Sequence, residues 1–128
     1  MDLLPDWWND LVEWFMRREP NSLSMQMRKA RLVWRFCNEV NSGGIADLLW
    51  YQQSEFPHVE LTNSIIEVCG HPYEHLIKEA VSLYACGTAA GDASWRALDR
   101  RFFERNDEPY HRVAEYSERF RQEWQAQA

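Results

Sequence analysis

Apolar residues recur along this chain at steps of three and four, and no stretch alternates apolar and polar for long. That period is helical. Residues 6–18 carry Trp7, Trp8, Leu11, Val12, Trp14 and Phe15, and are apolar around most of the circumference. Pro5 suits the first turn of this helix, Asp6 its positive end and Arg17-Arg18 its negative end. Pro20-Asn21-Ser22 breaks the chain, and Ser22 or Ser24 is placed to cap a second helix running to Asn41. Its apolar side is Leu32, Val33, Phe36, Cys37 and Val40. Asn41, Ser42, Gly43 and Gly44 then read as a hinge, because the glycines can take the left-handed conformation that ends a helix. Ile45, Leu48, Leu49 and Trp50 open a short third helix.

After a loop marked by Pro57, the residues Leu61, Ile65, Val68 and Cys69 share one face of a fourth helix, and Gly70 is positioned to end it. Pro72 restarts the chain into a fifth with Leu76, Ile77, Ala80, Val81 and Tyr84 on its face. Residues 87–91 read as the flexible joint, and Asp92 or Ser94 can cap a sixth helix bearing Trp95, Leu98, Phe102 and Phe103. Asn106-Asp107-Glu108-Pro109 stops and restarts the chain with Asp107 as cap. The last helix carries Tyr110, Val113, Ser117, Phe120 and Trp124, a narrow seam suited to lying along another helix. The prediction is an all-α protein, one compact domain over residues 1–128, of about seven helices joined by short loops.

Composition narrows the function classes. The 128 residues suffice for a core without staples, and 45% hydrophobic content with seven Trp excludes a disordered chain. A net charge of −6 argues against direct nucleic-acid binding and against docking on anionic lipid. Three cysteines without paired spacing suit a reducing cytoplasm. The start, Met1-Asp2-Leu3-Leu4-Pro5-Asp6, has no basic segment before an apolar run, and no apolar stretch approaches membrane-spanning length. The expectation is a soluble cytoplasmic protein.

Asn38-Glu39-Val40-Asn41-Ser42-Gly43-Gly44, followed by a short helix of large apolar residues, resembles the signature of a bacterial all-helical family named for a DNA-mimic protein. Leu98-Asp99-Arg100-Arg101-Phe102-Phe103 is similar to that family's later Leu-Asp-aromatic segment. The two stretches bracket about half the chain. Ile45 stands where the family usually has Phe, and Gln52-Gln53-Ser54 where it has a polar Asn-Ser pair. The resemblance implies a non-catalytic helical protein that presents carboxylates to a basic partner.

Charge segregation points the same way. Between Phe36 and Ile77 stand Glu39, Asp47, Glu55, Glu60, Glu67 and Glu74, with no Lys or Arg; the rest of the chain carries fourteen of each sign. Facing outward together, six carboxylates would make a field and imitate a phosphate track for a basic DNA-binding protein. Folded against Arg28, Lys29, Arg31 and Arg35, or against the arginines after Arg96, they would be neutralised instead. That basic cluster is itself either a solvated helix face or a clamp for a phosphate or carboxylate. The function expected is therefore an inhibitor or regulator that blocks a nucleic-acid-binding surface. The alternative is an immunity-type protein neutralising a toxin or nuclease.

An enzyme has one remnant. His71-Pro72-Tyr73-Glu74-His75 matches H-x-x-E-H, a zinc-hydrolase pattern. Gly70 and Pro72 place His71 at a helix start, where the two imidazoles need not align; the bland reading has His71 capping the helix and His75 at the surface. Cys69 could join them around an adventitious metal. Cys37, Cys69 and Cys86 sit on or beside apolar faces and have no adjacent base. No metal or other cofactor is expected. Trp7, Trp14 and Trp124 belong either to the core or to a partner or subunit interface, where Trp is enriched; the latter gives a homodimer.

Overall fold

Helix α2, Met25–Tyr51, is the axis of the molecule, and α3 (His58–Cys69), α4 (Tyr73–Ala85), α5 (Ala93–Phe102) and α6 (Glu108–Glu118) all pack on it. The computed structural model describes residues 3–105 and 107–125. Met1, Asp2 and Asn106, which entered the readings of the N-terminus and of the 106–109 turn, lie outside the described residues. Helix α1 (Trp8–Arg17) is joined to α2 through a 3-10 turn, Pro20–Ser22, and packs against a short α7, Arg121–Gln125. All seven α-helices of the described residues share one hydrophobic core.

The apolar pattern explains why α2 is central. Met27, Ala30, Leu32, Val33, Phe36, Cys37, Val40, Ile45, Ala46, Leu48 and Leu49 are buried, a set too wide for one face. A helix apolar on several sides needs several neighbours. Its start is capped as expected, with Ser24 Oγ accepting from the Met27 amide at 3.2 Å. Asp92 caps α5 in the same manner, accepting from the Ser94 amide at 2.9 Å.

Helix boundaries differ from the sequence reading in two compensating places. The expected second and third helices follow one another without a loop and are described together as α2, but the expected break between them is present, since Gly44 has non-helical φ and ψ. The expected last helix is two, because the chain turns back after Glu118. There the Ser117 carbonyl accepts from the Phe120 amide at 3.0 Å and from the Trp124 indole N–H at 3.0 Å. The turn swings Trp124 into the core, with its ring 5.1 Å from that of Trp7. The straight seam through Phe120 and Trp124 is thus a corner.

Residues 87–91 are tied down at one point. The Thr88 carbonyl accepts from the indoles of both Trp50 (3.2 Å) and Trp95 (3.3 Å), so the expected flexible joint is pinned to α2 and α5. Asp107 stands at the N-cap of α6 without a capping side-chain bond, and His71 does not cap α4, whose N-cap residue is Pro72. No helix among the described residues is long and apolar enough to cross a membrane.

Candidate functional site

The break in α2 gathers the residues that carried the family resemblance. Gly44 has φ 86° and ψ 164°, a region open in practice to glycine alone. The Asp99 carboxylate of α5 fills the notch: Oδ1 accepts from the Ile45 amide at 2.9 Å, capping the second half of α2. A Cβ built on Gly44 would lie 2.9 Å from Asp99 Oδ2. The two similar segments, 54 residues apart between Ile45 and Asp99, therefore meet in space.

The asparagines of the motif have a common partner. Tyr110 of α6 donates its hydroxyl to Asn38 Oδ1 at 2.9 Å, and Asn41 Nδ2 donates to the same hydroxyl at 3.3 Å. Partial burial and the nearby Cys37 raise the Tyr110 pKa, burial being the larger cause, while the bond from Asn41 works against them. Tyr110 drew notice in the sequence only as an apolar seam position. Its hydroxyl left no sequence signal.

On another side of the break, Gln52 Nε2 donates to Glu39 Oε2 at 3.3 Å and to Asp47 Oδ2 at 3.2 Å. Along a straight helix residues 39 and 52 would stand about 20 Å apart, too far for two such side chains to meet. The bend at Gly44 closes that gap. Two carboxylates thus converge on one amide. Neither lies within ion-pair distance of a Lys or Arg among the described residues.

The other four acids do not join this pair. Glu55 meets Arg35 at 2.7 Å, Glu60 meets Arg28 at 3.3 Å and Glu67 meets Lys29 at 2.8 Å. Glu74 is bound to Lys78 one turn away at 3.2 Å. The expectation of six unneutralised carboxylates on one surface is corrected accordingly. Arg28, Lys29 and Arg35 of α2 each reach a carboxylate of α3 or of the loop before it, so charge segregated in sequence becomes paired in space. The bond from Lys29, then the one from Tyr116, lowers the Glu67 pKa. Its bond from Lys78 does the same for Glu74.

The remaining candidates resolve residue by residue. His71 and His75 are exposed, with ring centroids 5.2 Å apart, while Cys69 is buried in the core. Among the described residues no group of three His, Cys, Asp or Glu side chains is arranged to hold a metal. Burial pushes the Cys69 thiol up to about 12 and the Cys37 thiol well above its ordinary value, which disfavours a thiolate at either. Cys86, expected on or beside an apolar face, is exposed.

Trp14 and Trp124 are buried within the chain, so they offer no interface surface, and Trp7 is half-buried against Trp124. The large apolar side chains left in solvent are instead Leu3, Met16, Met25, Tyr51 and Val59. No protein-family model, curated protein or solved structure matches the chain.

Proposed function

We propose that this is a non-catalytic, cytoplasmic helical protein that binds a basic partner through the surface beside the α2 break. Glu39 and Asp47 would be the principal contacts, and occupation of the partner's nucleic-acid-binding groove the regulatory outcome. The observation that carries the reading is the convergence of these two carboxylates on Gln52, with no Lys or Arg of the described residues within ion-pair distance of either. Like charges held together repel, and an incoming guanidinium or ammonium group relieves that repulsion. Tyr51, 73% exposed and next to Gln52, adds the kind of aromatic contact that anchors interfaces. The resemblance of residues 38–44 to the DNA-mimic family supports the same class of partner.

Glu55, Glu60, Glu67 and Glu74 have a smaller part in this proposal, since each would have to exchange an internal cation for an external one. Such exposed pairs are worth only about 0–1 kcal/mol, so exchange is not forbidden.

The test is a pull-down from host lysate at low and high salt, with and without duplex DNA. A genuine partner is retained at low salt, released at high salt, and displaced by the DNA. The double variant Glu39→Gln/Asp47→Asn should lose it while circular dichroism stays unchanged. Retention by that variant, or indifference to both salt and DNA, removes the proposal.

A further inference from the structure

A second surface has the opposite character. Arg28, Arg31 and Arg35 follow one another at steps of three and four, which puts their guanidinium groups on one side of α2. All three line a groove of about 370 Å³ between α2, the 3-10 turn and the start of α3, where Ser54 and Pro57 also stand. Glu60 and Glu55 balance Arg28 and Arg35, as described. Arg31, between them, has no carboxylate within ion-pair distance among the described residues.

Its Nε donates to the Phe15 carbonyl at 2.9 Å, which fixes the plane of the guanidinium. The Nη donors make no hydrogen bond among the described residues, and a guanidinium fork of this kind matches two oxygens of one anion. Burial, and secondarily the charge of Arg35, disfavours the Arg31 cation while the Glu19 carboxylate works the other way, and a bound anion would offset the cost of burial. The wall of the groove adds a second attraction. Helix α3 runs for 12 residues, and its N-cap, Pro57, supplies no side-chain acceptor. No N-cap side chain meets the positive end of α3, and the acidic residue of its first turn, Glu60, is paired with Arg28 where Pro57 and Glu60 line the groove.

We propose that this groove binds a small oxyanion, a carboxylate or phosphate group, held by Arg31 and the first-turn amides of α3. Three guanidiniums against two carboxylates leave the lining with one positive charge, enough for a singly charged group with both ion pairs intact. Glu55 and Glu60 orient the flanking arginines and limit how much negative charge enters. The site is separate from the surface beside the α2 break and does not depend on a protein partner.

The full chain, labelled with ¹⁵N, would be titrated with sodium acetate and separately with inorganic phosphate at constant ionic strength. Saturable shifts are expected at the Arg31 Nε–H and at the amides of His58, Val59 and Glu60, in the millimolar range, with at least one of the two anions. Tighter saturation by acetate identifies a carboxylate ligand, and tighter saturation by phosphate a phosphate ester. Arg31→Gln should abolish the effect. Glu55→Gln, which removes a competing carboxylate, should tighten binding about two- to fivefold, a gain that misfolding does not produce. Shifts that stay linear, that spread equally to Arg96 and Arg100, or that persist in Arg31→Gln overturn the site.

Discussion

Gly43 and Gly44 are neighbours of the same type, yet their surroundings set opposite requirements. A side chain at Gly44 meets both a φ of 86° and an Asp99 oxygen 2.9 Å away. At Gly43 the nearest atoms belong to the flexible Asp47 side chain, at 3.3 Å and beyond. Gly44→Ala should therefore cost on the order of 3 kcal/mol in urea unfolding, combining backbone strain with displacement of the Asp99 cap. Gly43→Ala should change stability by no more than about 1 kcal/mol, because alanine's better helix propensity offsets the contact. Equal effects of the two substitutions would contradict the bend described here. Glu67 offers a second test at this scale. The bonds from Lys29 and Tyr116 hold its carboxyl below the ordinary value, so their stabilisation is complete above about pH 4.3, the ordinary glutamate value. It is lost as pH falls through the lower folded value. Tyr116→Phe should cost about 1 kcal/mol near neutral pH, a figure already reduced for the partial exposure of Glu67. The gap from the parent protein should close in acid, as measured by urea midpoints across pH.

At the scale of elements, the turn between α6 and α7 explains why the aromatic surplus at both ends of the chain does not stay on the surface. Trp7 and Trp124 pack against one another with their rings tilted by 42°, and the Arg121 guanidinium lies over both rings, 5.3 and 5.9 Å from their centroids. The first and last helices thus close over each other. Trp124→Ala should cost about 3–5 kcal/mol in thermal or urea unfolding, since it empties a buried site and leaves the Ser117 carbonyl with one donor fewer. A loss below about 1 kcal/mol would mean that α7 is a dispensable appendage. The helix periods themselves were legible in sequence, and Ser24 and Asp92 were each one of two cap candidates, Ser22 and Ser94 being the others. The corner was not legible, because a step of three or four residues looks the same whether the helix continues or folds back.

For the whole molecule, the distribution of charge is the property the sequence suggested and folding rearranged. Three of the six acids between Phe36 and Ile77 meet cations of the first half of α2, which lie 20 to 38 residues away. Glu39 and Asp47 are left as a small acidic spot beside the bend, and Arg31, between two paired arginines of α2, lines the groove beside the start of α3. Thiol chemistry reports on the same global structure. Cys37 and Cys69 are buried and Cys86 is exposed, so a thiol reagent should label one cysteine quickly in the native protein. The other two should react at the rate of global opening and become fully available in denaturant. Fast labelling of all three would contradict the packing of α2 on α3.

The sequence by itself determined the helical class, the run of apolar faces, the candidates for two caps and the place where α2 must bend, because these depend on neighbours within one or two turns. It also marked Asp99 as a residue of interest through the Leu-Asp-aromatic segment, without saying what it touches. Only the tertiary structure decided that Asp99 caps Ile45, that Tyr110 serves Asn38 and Asn41, and that Glu55, Glu60 and Glu67 meet Arg35, Arg28 and Lys29. Each is a contact between side chains distant in sequence, formed when helices that are separately amphipathic choose their partners. Periodicity fixes which side of a helix is apolar. It does not fix which polar side chains meet at its edges.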